Sequence, residues 1–141
     1  MREKKVFLSF FISLAASFFI SRLSLLASSQ EAAKLAGDWQ VVVEAEGQYY
    51  YLNLTLKQAE GKLEGTISEA NGFFQDVFLT NIKLEADSLH FEFPAPTPPD
   101  GLTRQISADL KITADYEKME GSFYIPDLGV VAKATATRQK S

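Results

Sequence analysis

The sequence predicts an all-β protein, an eight-stranded antiparallel up-and-down barrel preceded by an N-terminal signal peptide. Three observations carry that expectation. From Trp39 to the C-terminus apolar and polar residues alternate with a period of two, the mark of half-buried strands. Turn residues interrupt the alternation at short intervals, so successive strands are antiparallel neighbours. A meander of this kind leaves two costly edges unless it closes. Eight strands is also a number at which a closed barrel is just filled, or encloses one small ligand.

The first residues, Met1-Arg2-Glu3-Lys4-Lys5, are basic, and Val6 to Ile20 is an uncharged, mostly apolar run too short for a comfortable membrane span. Small residues follow in Ala27-Ser28-Ser29, which places cleavage after Ser29. Residues 1–29 are therefore read as the signal and 30–141 as the barrel domain. The alternative is an uncleaved anchor, in which case membrane contact runs through this N-terminal segment alone. Both readings put the domain outside the cytoplasm, in the periplasm or the extracellular space.

Removing 1–29 takes away Arg2, Lys4, Lys5 and Arg22 against Glu3, so the net charge moves from −4 to −7. An acidic domain has no electrostatic reason to bind nucleic acid. There is no cysteine, hence neither a disulfide nor thiol chemistry. Stability has to come from burial, and a domain of this length hides roughly two-thirds of its unfolded surface.

Each strand can be justified in order. Gln30 to Lys34 reads as one helical turn across a barrel end. Trp39, Val41, Val43 and Ala45 share a face, and Gly47-Gln48 turns the chain into Tyr50, Leu52, Leu54 and Leu56. Glu60-Gly61 leads to Leu63, Gly65 and Ile67, and Asn71-Gly72 is a strong hairpin signal. Gln75 to Leu84 forms the next strand, with a bulge expected at Asn81 because Ile82 and Leu84 change parity relative to Val77 and Leu79. Leu89, Phe91 and Phe93 follow. Proline removes ladder donors, so Pro94 to Gly101 is expected to be the longest loop, either a lid on the barrel mouth or a stiff connection. The last three strands carry Ile106, Ala108, Leu110 and Ile112, then Met119, Gly121, Phe123 and Ile125, then Ala132, Ala134, Ala136 and Arg138.

A weak internal repeat relates the hairpin around Leu52–Ile67 to the one around Ala108–Phe123, with Gly65 matching Gly121. A glycine inside a strand marks a sharp bend or a close backbone approach.

Gly37-Asp38-Trp39 at the start and Thr137-Arg138 at the end resemble the lipocalin-like (calycin-type) small barrels. Ala36, Leu52, Leu54, Leu56, Leu63, Gly65, Thr66, Ile67, Leu89, Phe91 and Gly121 extend the likeness to secreted bacterial lipocalin-like domains. The resemblance implies a barrel whose last-strand arginine lies over the first-strand indole, and one small hydrophobic ligand inside. It implies no catalysis. Independently, Trp39 and Arg138 fall in inward registers of the first and last strands, where a stack contributes ~0.5–2 kcal/mol.

Interior contacts for a ligand are expected from Leu54, Leu79, Phe91, Phe93, Leu110 and Phe123. Tyr49, Tyr51, Phe78 and Tyr124 are the candidates for a surface patch that contacts an envelope protein, a lipid or a glycan. His90, the only histidine, alternates with Phe91 and points outward without a second His or a Cys to share a zinc ion. Scattered carboxylates such as Asp76, Asp109 and Asp127 form no facing pair, and no nucleophile elbow or phosphate loop is present. The expectation is a non-enzymatic barrel without cofactor or metal. It either holds a small apolar ligand or serves as an envelope interaction module with a filled interior.

Overall fold

The computed structural model describes residues 30–140, so the expected export segment at 1–29 lies outside the described residues. Residues 30–35 are helical, and they bury Ala32 and Leu35. Nine strands follow: β1 (Gly37–Ala45), β2 (Gln48–Ala59), β3 (Lys62–Glu69), β4 (Val77–Phe78), β5 (Thr80–Glu85), β6 (Ser88–Thr97), β7 (Leu102–Ile112), β8 (Lys118–Ile125) and β9 (Val130–Arg138). They form one antiparallel sheet in the order β4-β3-β2-β1-β9-β8-β7-β6-β5, so the first strand pairs with the last.

Nine strands rather than eight arise from one interruption. The expected strand 75–84 is split at Leu79: its first half pairs with β3 and its second half with β6. The Leu79 amide donates to the Gly65 carbonyl at 3.0 Å, and the register on β6 shifts between Thr80 and Lys83, where Asn81 has φ of 50°. The strand changes partners at Leu79, which nearly closes the barrel, and the bulge foreseen at Asn81 follows just after, within the pairing to β6.

Two-residue turns at Glu46-Gly47 and Glu60-Gly61 have positive φ at both central positions, the twist that antiparallel strands favour. Asn71-Gly72 does not behave this way. Only Gly72 takes positive φ, and a loop at 70–76 separates β3 from β4. The Glu69 carboxylate accepts the amides of Asn71 (2.8 Å) and Phe73 (3.1 Å), folding the chain locally instead of continuing the ladder.

The prolines also depart from expectation. β6 runs through Pro94 and Pro96 to Thr97, opposite Gln105, Thr103 and Leu102 of β7, so the loop shrinks to 98–101. Beyond Glu92, β6 is paired on its β7 side only. Pro94 and Pro96 turn their missing donors to the other side, where none is needed, and they deny that edge to a further strand.

Trp39, Leu52, Leu54, Leu56, Ile67, Leu79, Phe91, Phe93, Leu110, Ile112 and Phe123 are buried as expected, whereas Tyr50, Leu63 and Ile125 on the same faces are half-buried. The repeat does not survive as a paired register, because Gly65 lies opposite Leu56 whereas Gly121 lies opposite Leu110. Its close-approach reading does hold. A Cβ on Gly121 would overlap the Asp109 carbonyl oxygen, and one on Gly65 would stand 2.5 Å from the Thr55 oxygen. Gly121→Ala is therefore expected to destabilise the barrel by about 1–3 kcal/mol or more, measured by urea unfolding. A Gly121→Ala protein of unchanged midpoint would contradict the close packing described.

Candidate functional site

The strand directions give the barrel two unlike ends. At one, β1 begins and β9 finishes, with Trp39 directly opposite Arg138. The Arg138 guanidinium carbon lies 4.4 Å from the indole centroid. Its Nε donates to the Tyr116 carbonyl (3.0 Å), one terminal nitrogen to Ala36 (2.9 Å) and the other to Lys34 (2.6 Å). Trp39 is fully buried, and its Nε1 donates to the Leu35 carbonyl at 3.0 Å. The Lys34 ammonium sits 5.2 Å from the Tyr116 ring centroid. One arginine thus ties the lead-in, the first strand, the β7–β8 connection and the last strand together over the indole. Gly37 is required there: its φ is 134°, and a Cβ would meet the guanidinium at 2.9 Å.

At the other end the barrel is not filled. A cavity of about 350 Å³ opens between the inner faces of the strands and the loops at 70–76 and 98–101. β1 and β2 contribute Val43, Ala45, Tyr50 and Leu52; β6 and β7 contribute Phe93, Pro96, Thr97 and Ile106. Glu69, Phe123, Ile125, Val130 and Ala132 complete the wall, and Phe73, Phe74, Pro98, Pro99 and Gly101 form the rim. Small side chains at Ala45 and Ala132 leave the space. Phe93 and Phe123 meet edge to face at 5.9 Å, and Phe74 packs 6.1 Å from Phe93.

Of the interior residues expected from sequence, Phe93 and Phe123 border this cavity. Leu54, Leu79, Phe91 and Leu110 are buried in the packed core and are not part of its wall. The two polar residues of the wall, Glu69 and Thr97, were not among the expected contacts. Both continue inward registers, Glu69 after Leu63, Gly65 and Ile67, and Thr97 after Phe93 and Ala95, so parity was the signal that could have found them.

The Thr97 hydroxyl donates to the Leu102 carbonyl (3.3 Å) and accepts from Arg104 (2.8 Å). Arg104 grips both carboxylate oxygens of Asp100, at 2.7 and 2.8 Å, which holds the Asp100 carboxyl far below the usual carboxylate range. This fork fixes the 98–101 loop at the mouth.

The outward aromatics do not form one surface. Tyr49 and Tyr51 flank β1 opposite Glu44 and Val42, Tyr124 lies opposite Val131, and Phe78 lies opposite Thr66. Glu44 and Lys133, paired across β1 and β9, stand between the first group and the second.

His90 does point outward, but it has partners. Its Nδ1 is 2.8 Å from Asp109 and its Nε2 3.0 Å from Glu92. These two hydrogen bonds, Glu92's the stronger influence, raise the imidazole pKa, and the same contact lowers that of Glu92. Among the described residues no group of three or more His, Cys, Asp and Glu is arranged to hold a metal ion, and no helix is long and apolar enough to cross a membrane. Compared with known proteins, the chain matches no family model, no curated protein and no solved structure.

Two outcomes follow from this geometry. Arg138→Ala removes three charge-assisted hydrogen bonds and the stack, and is expected to cost about 2–4 kcal/mol in urea unfolding. Arg138→Lys should recover only part of the loss, since an ammonium cannot span three divergent carbonyls. Full recovery by lysine would count against the role of the planar fork. For His90 the folded pKa is raised, so its stabilisation is complete below the ordinary value near 6.5 and is lost as pH climbs through the elevated one. Thermal melts across neutral to mildly alkaline pH should therefore fall more steeply for the native protein than for His90→Gln. Parallel curves would rule out the linkage.

Proposed function

We propose that this chain is an exported, lipocalin-like binding barrel, non-enzymatic, that takes one small hydrophobic ligand into the cavity at its open end. The single observation behind this reading is the cavity. It has about 350 Å³ of space with a predominantly apolar and aromatic wall, within the range of small-molecule sites. The core between it and Trp39 is packed, so the space belongs to one end. Gly37, Trp39 and Arg138 support the lipocalin-like assignment by their arrangement, with the arginine over the indole where first and last strands meet.

An envelope interaction module working through Tyr49, Tyr51, Phe78 and Tyr124 on a partner protein or glycan has less in its favour, because charged residues divide the outer aromatics. Nor does the acidic balance favour nucleic acid.

Native mass spectrometry after incubation with a lipid extract tests the proposal. One adduct per chain is expected, and it should disappear in Ala132→Phe, where the added ring occupies the cavity. An adduct indifferent to Ala132→Phe, or none at all, would refute it.

A further inference from the structure

The cavity is not uniformly apolar, and its one charged wall residue has a definite sign. Glu69 is only 6% exposed, yet it borders the cavity. Its Oε2 accepts the two loop amides of Asn71 and Phe73. Those two amides serve Oε2, but among the described residues no lysine or arginine pairs with the carboxylate, so a cation at the wall would be its first counter-ion. The surroundings suit a cation in a second way: Tyr50, Phe73, Phe74, Phe93 and Phe123 present aromatic rings to the same space, and ring faces attract cations.

The rim has the same sign. The four connections at the open end, 46–47, 70–76, 98–101 and 126–129, each carry one acidic residue: Glu46, Asp76, Asp100 and Asp127. None carries a lysine or arginine. Arg104, the guanidinium beside Thr97, pairs with Asp100 through both terminal nitrogens, so those two charges offset each other and Glu46, Asp76 and Asp127 carry the acidic balance of the rim; Arg104 does not border the cavity. An approaching anion would meet repulsion without a free cationic receptor, whereas a cation would be drawn in.

Building on the binding reading above, we propose that the ligand is a cationic amphiphile: a primary or substituted ammonium group that meets Glu69 and the aromatic rings, with an apolar body filling the remaining space. A cavity of ~150 Å³ accepts benzene, so the space here suits roughly a dozen non-hydrogen atoms.

Isothermal titration of the purified protein with decylammonium, 1-decanol and decanoate, below their aggregation concentrations and at low salt, separates charge from apolar length. The expected order is decylammonium tightest, decanol next and decanoate weakest, with at least tenfold between amine and carboxylate. Glu69→Gln keeps an oxygen to accept the two loop amides and removes the charge. It should bring the amine down to the alcohol and leave decanol unchanged.

Decanoate binding as tightly as the amine overturns the proposal while leaving the cavity reading in place. So does an amine preference that persists in Glu69→Gln, or amine binding that survives Ala132→Phe, which would locate it on the acidic rim. Failure of all three probes to bind overturns the cavity reading itself. Should Glu69→Gln not fold, the order of the three probes on the native protein decides the matter.

Discussion

The structure depends on one contact, the Arg138 guanidinium held against the face of Trp39. A sheet that curls on itself needs its first and last strands in a fixed register, because a one-residue slip would turn every core side chain outward. Arg138 sets that register by bonding carbonyls from the lead-in and from the β7–β8 connection while covering the indole. Burying an indole removes about 150–250 Å² from water, worth on the order of 4–6 kcal/mol at ~25 cal/mol per Å². In a chain without cysteine, that burial and the polar clasp above it do the work a disulfide would do elsewhere.

The two ends of the barrel differ. Leu35, Trp39, Leu56 and Met119 are fully buried near the closed end, and the unfilled space lies at the open end. There β1 and β9 bring Ala45 and Ala132, and the rim loops stand on two polar anchors. Glu69 gathers the 70–76 loop through its amides, and the Arg104–Asp100 fork gathers 98–101. The mouth is therefore built from short, braced connections, and its charge is acidic.

Much of this was legible in the residues themselves. Alternation identified the inward faces of all the long strands, and the parity change at Asn81 located the bulge that follows the change of partner at Leu79. The Trp39–Arg138 pair could be placed because both lie at chain positions whose register closure dictates. What misled were local signals overridden by tertiary context. Pro94 and Pro96 look like strand breakers, yet both lie where β6 lacks a second neighbour and a donor is not missed. Asn71-Gly72 looks like a tight hairpin, but the Glu69 side chain competes for the backbone amides that the ladder would have used. The cavity was the least legible part. A list of inward residues gives their bulk without their height along the barrel axis, so Leu54 and Phe93 look alike in sequence and differ in place.

The barrel is sealed at its Trp39 end and unfilled at the other. The most direct measurement is a two-dimensional ¹⁵N NMR titration with a small apolar probe such as 1-decanol, followed at the backbone amides and the Trp39 indole N–H. A probe seated in the cavity shifts Val43, Tyr50, Phe93, Phe123 and Ala132 and leaves the indole resonance unmoved. Shifts centred on Trp39 and the lead-in at 32–36, or confined to the outer faces at Tyr51 and Phe78, would contradict it.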